Sequence, residues 1–164
     1  MIGEPVVFVV DDDASVLRAI TRLLRFEFVV QPYDSPAAFL AEVHPETPGC
    51  ILLDLALPGM SGLELQAQLI EAGCFQPVVF LSGQGSVRTV VQALQAGAID
   101  FIEKPWESEV LIGAVRRALE CDREIRSRRD AAVSISQRVM HKMSVRSVAE
   151  LTRAAELAGV RPEA

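Results

Sequence analysis

The sequence predicts an α/β protein in which helices cover both faces of a doubly wound, five-stranded parallel sheet. Short apolar runs alternate with segments whose apolar residues recur at helical spacing, and this alternation repeats five times. The first run, Val6 to Val10, consists only of β-branched and aromatic residues, which is typical of a strand covered on both faces. Because strand-helix-strand crossovers are right-handed, such an alternation places the helices over both faces of a parallel sheet.

Five apolar runs are the predicted strands. They are rich in β-branched and aromatic residues, and they are short enough to be strands rather than buried helices. The predicted strands are Val6 to Val10, Phe28 to Gln31, Cys50 to Leu53, Val78 to Leu81 and Ile99 to Ile102.

The segments between the strands are predicted helices, supported by apolar residues at helical spacing and by start or stop signals. Ser35 before Pro36, and Ser61 before Glu64, are typical N-terminal signals, and Gly97 is typical of a helix end. The predicted helices extend from Val16 through Arg25, from Pro36 through Val43, from Gly62 to about Glu71, from Val87 to Ala96, and from Glu107 to about Arg129.

The chain is long enough for one hydrophobic core and a short appendage, since it has 164 residues and half of them are apolar. We predict one domain over residues 1–122, which holds the five strand-helix units, and a helical tail over residues 123–164. The tail concentrates positive charge, although the whole chain has a formal net charge of -6. The basic residues of the tail include Arg123, Arg126, Arg128, Arg129, Arg138, Lys142, Arg146 and Arg153.

The composition of the chain also indicates which classes of partner it is unsuited to bind. The negative net charge argues against bulk attraction to nucleic acid or to anionic lipid, so DNA would have to be bound by a local basic cluster. No apolar run approaches the roughly 20 residues of a membrane helix, and the first residues lack the pattern of a signal peptide. We therefore expect a cytoplasmic protein with no membrane partner. The three cysteines have no metal-binding spacing and are expected to be reduced thiols.

The chemically informative residues stand where four of the predicted strands end. Asp11 and Asp12 follow the first strand, Asp54 the third, Ser82 the fourth and Lys104 the fifth. In an open parallel sheet, ligands bind outside the carboxyl ends of the strands, so these side chains are expected to converge on one crevice. Crowded carboxylates repel one another unless a hard cation with a preference for oxygen lies among them, and Mg²⁺ is the first candidate. A carboxylate beside Mg²⁺, with a hydroxyl and an ammonium group nearby, suits attack on phosphorus, which makes Asp54 the candidate nucleophile.

Five short motifs follow one another between residue 5 and about residue 122: Val9 to Asp12, Leu53-Asp54, Pro58 to Gly62, Phe80 to Gly83, and Phe101 to Pro105. Together they resemble the receiver domain of FixJ-like two-component response regulators, which has a flavodoxin-like fold. The resemblance implies a phosphorelay protein that accepts a phosphoryl group from a sensor histidine kinase. Such a protein carries out only its own phosphorylation and dephosphorylation, and it is a signalling protein rather than an enzyme with a separate substrate.

The same resemblance implies a role for each residue at the metal site. Asp54 would be the phosphorylated residue. Asp12 and Asp54 would ligate Mg²⁺ directly, and the backbone carbonyl of Ala56 would add a third oxygen. Asp11 would act through metal-bound water.

The resemblance further implies a conformational switch. Ser82 would hydrogen-bond the phosphoryl group and Lys104 would pair with it. Phe101 resembles the aromatic residue whose rotamer follows Ser82 in the active state. The surface around the helix from Val87 to Ala96 would then self-associate, giving a phosphorylation-dependent homodimer.

Two segments of the tail, Gln137 to Met143 and Arg146 to Leu151, resemble the recognition helix and closing helix of a LuxR-type helix-turn-helix domain. The earlier scaffold helices of such a domain are absent, and a recognition helix needs partner helices to hold it in a major groove. A transcriptional regulator that binds DNA through the tail is therefore the alternative function, and the phosphoacceptor switch is the principal one.

A phosphatase is a further alternative, because Asp11 and Asp13 form an Asp-x-Asp pair after the first strand. In that mechanism Asp11 would be the nucleophile and Asp13 the acid. It would leave Asp54, Ser82 and Lys104 without a combined role. The simpler role of Asp13 is to cap the first helix, since acidic residues are favourable at a helix N-terminus.

Overall fold

The computed structural model describes residues 3–142 and contains the predicted parallel sheet. Its strand order is β2-β1-β3-β4-β5, and all four strand pairs are parallel. The predicted fold class is thereby confirmed. The strands are β1 (Val6–Val10), β2 (Val29–Tyr33), β3 (Gly49–Asp54), β4 (Val78–Ser82) and β5 (Asp100–Glu103).

Five helices alternate with the strands, and three begin at the predicted caps. The side chains of Asp13, Ser35 and Ser61 each accept a hydrogen bond from a backbone N–H of the first turn that follows, and Ser61 forms the predicted capping box with Glu64. The helices are α1 (Ala14–Leu24), α2 (Pro36–Glu42), α3 (Gly62–Glu71), α4 (Val87–Gln95) and α5 (Ser108–Lys142).

The two faces of the sheet are packed by different helices. On one face, Phe39 of α2, Leu65 of α3 and Ala93 of α4 are fully buried against the sheet. On the other face, Ile20 of α1 and Leu111 of α5 are fully buried. Every residue of the central strands β1 and β3 is buried, because each of these strands is covered on both faces.

Several predicted boundaries were wrong, most of them by one or two residues. Strand β2 lies one residue further on at its start and two at its end, because the exposed Gln31 and Pro32 interrupt the apolar run before the buried Tyr33. Strand β5 begins at Asp100 rather than Ile99 and ends at Glu103. Helix α5 continues to Lys142 rather than ending near Arg129, because helix-favouring residues such as Ala and Arg continue after the apolar stripe ends.

The chain divides into a first unit that ends at Arg123 and a second unit that begins at Glu124. The described residues of the second unit are helical and include three exposed apolar side chains, Val133, Ile135 and Val139. Within the described chain, no helix combines the length and the apolar character that crossing a bilayer requires.

Candidate functional site

The predicted site residues lie together at the carboxyl edge of the sheet. Asp11 and Asp12 follow β1, Asp54 ends β3, Ser82 ends β4, and Lys104 follows β5. The backbone N–H of Lys104 donates to the carbonyl of Ser82 at 2.8 Å, so pairing of neighbouring strands continues up to the site. Parallel strands bring their carboxyl ends to the same edge, which is why residues distant in sequence meet here.

Three carboxylates form the centre of the site. One oxygen atom from each of Asp11, Asp12 and Asp54 lies within 4.8 Å of the other two. Asp11 is fully buried, Asp54 is 5% exposed and Asp12 is exposed. The cluster combines oxygen donors, close spacing and an open side at Asp12, and these properties fit a hard divalent cation such as Mg²⁺.

The ammonium group of Lys104 contacts two of the three carboxylates. Its Nζ donates a hydrogen bond to Asp11 Oδ2 at 2.6 Å and lies 3.5 Å from Asp54 Oδ1. Burial alone would lower the pKa of Lys104, but the hydrogen bond to Asp11 and the charges of Asp11 and Asp54 raise it above its ordinary value. Lys104 is therefore held in its cationic form, and a single ammonium group lies among three carboxyl groups.

Asp54 lies in an environment that disfavours its ionised form. Burial and the nearby charge of Asp11 raise the pKa of the Asp54 carboxyl, and Lys104 and a hydrogen bond from the Ala56 N–H only partly offset this effect. The Ala56 N–H lies 3.3 Å from Asp54 Oδ1. A cation bound beside Asp54 would favour the carboxylate that acts as a nucleophile.

Asp11 and Asp13 have different roles in the local structure. Asp11 Oδ1 accepts a hydrogen bond from the Asp13 N–H at 2.8 Å, which fixes the carboxylate that also binds Lys104. Asp13 is exposed and accepts the Ser15 N–H at 2.8 Å as the cap of α1, as the sequence predicts. The backbone hydrogen bond from Ser15 is the main reason that the pKa of Asp13 is lowered. A carboxyl with a lowered pKa is a poor general acid, which weighs against the phosphatase mechanism.

Ser82 and Phe101 lie on neighbouring strands, Ser82 at the end of β4 and Phe101 within β5. Ser82 is 4% exposed, and its Oγ accepts a hydrogen bond from the Gln84 N–H at 3.2 Å. Phe101 is partly buried against the core. The Lys104–Pro105 peptide bond is cis.

Sequence reasoning missed Gly85, which lies against the ring of Phe101. A Cβ atom at this position would lie 2.7 Å from the Phe101 Cζ atom, so only glycine accommodates the ring in its present rotamer. No local pattern marks Gly85, because the contact depends on the position of a side chain on another strand.

Comparison with known proteins identifies relatives over the part of the chain that forms the sheet. The family model for the response regulator receiver domain matches residues 7–116. The response regulator protein TmoT of Ectopseudomonas mendocina is 44% identical over 118 residues, which are 71% of this chain and 54% of TmoT. The transcriptional regulatory protein FixJ of Azorhizobium caulinodans is 37% identical over 134 residues, which are 81% of this chain and 64% of FixJ.

Solved structures of response regulators have the same fold as this chain. The structure of the response regulator StyR superposes with a TM-score of 0.79 at 32% identity, covering 94% of this chain and 99% of StyR. The crystal structure of FixJ-N superposes with a TM-score of 0.64 at 36% identity, covering 72% of this chain and 95% of FixJ-N. The chain spans about half the length of the first curated relatives that it matches.

Proposed function

Since this chain belongs to the response regulator receiver family, we propose that Asp54 accepts a phosphoryl group from a sensor histidine kinase. The chain would act in the cytoplasm as a phosphoacceptor of a two-component system. Its only chemistry would be its own phosphorylation and dephosphorylation. The observation that carries this proposal is the cluster of Asp11, Asp12 and Asp54 in contact with Lys104.

The proposal assigns the metal ligands within that cluster. The carboxylates of Asp12 and Asp54 and the carbonyl of Ala56 would hold Mg²⁺, and Asp11 would act through a water molecule. The excess of three carboxyl groups over a single ammonium group supports a divalent cation rather than a monovalent one. When bound, Mg²⁺ would supply positive charge at the position where the incoming phosphoryl oxygens gather.

The neighbouring polar residues would receive the phosphoryl group. Asp54 would provide the attacking oxygen. Lys104, which already lies 3.5 Å from Asp54, would pair with a phosphoryl oxygen, and the Ser82 hydroxyl would donate a hydrogen bond to another. In phosphoryl transfer, positioning and charge neutralisation of this kind provide most of the catalysis.

The proposal is tested by following incorporation of labelled phosphoryl groups from acetyl phosphate. We expect labelling that requires Mg²⁺ and is abolished by Asp54→Asn. The matched control is Asp34→Asn, which removes an exposed carboxyl after β2 and leaves the cluster intact. Full labelling of the Asp54→Asn variant would show that the nucleophile lies elsewhere.

The ligand assignment is tested separately by a Mg²⁺ titration. Trp106, the single tryptophan of the chain, lies two residues after Lys104 and provides a fluorescence signal near the site. We expect Asp12→Ala to shift the Mg²⁺ midpoint to higher concentration, because it removes one direct carboxylate ligand. An unchanged midpoint would contradict the role of Asp12.

Phosphorylation would then act through Ser82 and Phe101. Movement of Ser82 and Lys104 toward the phosphoryl oxygens would free space for a different Phe101 rotamer. The close packing of Gly85 on the Phe101 ring supports this step. We expect Gly85→Ala to disfavour the present Phe101 rotamer, and therefore to give dimer formation without phosphorylation while Asp54 still labels normally. A Gly85→Ala chain that labels normally and dimerises only after phosphorylation would show that Phe101 is not the switch.

The output surface would be α4 and the strand that follows it. Val87 is 82% exposed, and Val91 and Leu94 are also exposed, so α4 presents an apolar stripe. We propose that this stripe is covered by a second copy of the phosphorylated chain. Light scattering should give a dimer mass after phosphorylation and a monomer mass for Asp54→Asn. Equal monomer masses over a wide concentration range would contradict dimerisation.

We further propose a domain division at residues 1–122 and 123–164, and DNA binding through the tail as the alternative function. The name of FixJ as a transcriptional regulator and the basic residues of the tail support a role in transcription. Of the segments that resemble a helix-turn-helix domain, Arg146 to Leu151 lies outside the described residues. Footprinting with the phosphorylated chain at physiological salt tests this function, and a specific protected site lost on Arg138→Ala would favour it over the phosphoacceptor switch alone.

A further inference from the structure

A groove of about 840 Å³ runs along the outer edge of the sheet, between α1 and α2. Strand β2, one of the two edge strands, contributes four consecutive residues to it, Val30 to Tyr33. The apolar side chains of Leu17 and Ala38 also line it, one from each flanking helix. This groove lies outside the carboxylate cluster and has no part in the proposed phosphorylation.

Arginine side chains line the wall formed by α1. Arg18, Arg22 and Arg25 follow one another at spacings of four and three residues, so they lie on one face and extend over about 10 Å of helix. Among the residues that the structure describes, neither Arg18 nor Arg22 has a carboxylate within ion-pair distance. The guanidinium of Arg25 lies 5.1 Å from the centre of the Phe26 ring, a contact that leaves its charge in place. An acidic protein thus presents a row of positive charge along this groove.

The opposite wall carries negative charge. Asp34 and Glu42 line the groove on the side of α2, and Glu42 accepts a hydrogen bond from the Tyr33 hydroxyl at 3.0 Å. A nucleic acid or another uniform polyanion would be attracted to one wall and repelled by the other. A protein segment with carboxylates on one side only matches this separation of charge.

The edge strand also limits how a partner can bind. The carbonyl of Tyr33 accepts a hydrogen bond from the Asp11 N–H, so it points toward β1. Because backbone groups alternate along a strand, the backbone of Pro32 faces the open edge, where proline offers no N–H. Proline at an edge opposes the addition of another strand. A partner helix binds through its side chains and needs no backbone hydrogen bonds from β2, so it fits this groove better than an added strand.

We propose that the groove between α1 and α2 docks an amphipathic helix of a partner protein, with its apolar face on Leu17, Val30 and Ala38. A row of carboxylates along one side of this helix would pair with Arg18, Arg22 and Arg25. Guanidinium groups bind carboxylates through two parallel hydrogen bonds, which gives such a row orientation as well as affinity.

A synthetic helix tests this proposal directly. The probe is a fluorescently labelled amphipathic peptide of about 16 residues, since shorter helices are marginal in water. It has glutamate at the four- and three-residue spacings of the arginines and leucine on the adjacent face. The control peptide has glutamine in place of each glutamate. Fluorescence anisotropy with the full chain should show binding of the glutamate peptide and weaker binding of the control.

Matched variants separate the groove from general electrostatics. We expect Arg22→Gln to weaken binding of the glutamate peptide about threefold, in the range of an exposed ion pair. Arg88→Gln removes the same charge from α4, away from the groove, and should leave binding unchanged. The reversed pair, Arg22→Glu with a peptide that has lysine opposite it, should recover binding.

Three results would overturn the proposal. One is equal binding of the glutamate and glutamine peptides. Another is an equal loss in Arg22→Gln and Arg88→Gln. The third is tighter binding of a single-stranded oligonucleotide of about 20 nucleotides than of the peptide, with the loss again confined to Arg22→Gln. Binding by the Asp54→Asn variant should equal that of the parent chain, so failure of the phosphorylation proposal does not affect the outcome.

Discussion

The two ends of β3 bury carboxylates for opposite purposes. At the amino end, Asp122 of α5 is 2% exposed, and its Oδ2 accepts the N–H of Gly49, the first residue of β3, at 2.8 Å. At the carboxyl end, Asp54 lies within 4.8 Å of the carboxylate oxygens of Asp11 and Asp12. One buried acid connects a helix to the sheet, whereas the three clustered acids repel one another.

This difference shows where the fold tolerates unfavourable electrostatics. A buried charge that receives a hydrogen bond is stabilised by it, whereas neighbouring like charges destabilise the folded state. The unfavourable arrangement lies at the end of the sheet where parallel α/β proteins bind their ligands. At the amino end, the buried carboxylate of Asp122 stabilises the fold by accepting the Gly49 N–H.

The largest effect is expected from Gly49→Ala at the amino end. Gly49 has a φ of 150°, and a Cβ atom would lie 1.9 Å from the carbonyl oxygen of Val6. The clash is with backbone, so β1 or β3 must move, and we expect a loss of about 3 kcal/mol or more in the free energy of unfolding. Urea denaturation measures this loss. Gly3→Ala is the control, because no atom lies within 4 Å of its Cβ position. Equal stability of the two variants would contradict the tight packing at Gly49.

A smaller loss is expected when the connection at Asp122 is removed. Asp122→Ala leaves the buried N–H of Gly49 without its acceptor, which costs about 1–3 kcal/mol. Asp122→Asn keeps an oxygen that can accept this hydrogen bond, and it should lose less. Comparing the two variants separates the contribution of the hydrogen bond from that of packing. If both variants were as stable as the parent chain, Asp122 would have no structural role.

The contrast between the two ends also shows what the sequence could predict. Asp11, Asp54 and Lys104 were predicted at the site because apolar runs end at them and parallel strands bring those ends together. Asp122 was not predicted, since it lies 73 residues from Gly49 and its own neighbourhood is an ordinary helix pattern. Local pattern reveals the position of a residue within its element, but contacts between distant elements depend on packing.

The boundaries of β2 and the position of Gly85 were missed for related reasons. Strand β2 is at the edge of the sheet, and three of its five residues, Val29, Gln31 and Pro32, are exposed. Its hydrophobic pattern is therefore weak and includes a proline that would exclude a central strand. Gly85 matters because the ring of Phe101 lies against it, and only side-chain positions reveal this contact.

A gain in stability is expected at the carboxyl end. Asp54→Asn removes one of the like charges whose repulsion, together with burial, raises the pKa of the Asp54 carboxyl. Thermal unfolding without Mg²⁺ at neutral pH should therefore show a higher midpoint for Asp54→Asn than for the parent chain. Asp34→Asn, the control, should leave the midpoint unchanged. A lower midpoint for Asp54→Asn would mean that the contact with Lys104 outweighs the repulsion, and the contrast between the two ends would fail.

The smallest effect on stability is expected from the ionisation of Tyr33, the last residue of β2. The surroundings of this buried side chain favour its neutral form. Burial, which has the largest effect, together with the hydrogen bond to the Glu42 carboxylate and the charge of Glu42, raises the pKa of the Tyr33 hydroxyl from 10.0 to about 12. Because the folded state holds the proton more tightly than the unfolded state, Tyr33 contributes its full stability below pH 10. That contribution is lost as the pH rises from about 10 through about 12.

Tyr33 is the single tyrosine of the chain, so its ultraviolet absorbance reports this one hydroxyl. Rapid mixing into alkaline buffer, with absorbance read before unfolding, should give a midpoint near pH 12 for the folded chain. In Glu42→Gln the hydroxyl retains a possible hydrogen-bond acceptor but loses the adjacent charge, and the midpoint should move toward 10 without reaching it, because the burial remains. A folded chain that titrates at the ordinary value would show that the hydroxyl is open to solvent. At the carboxyl end of the sheet, the raised pKa of Asp54 would then have no counterpart at Tyr33.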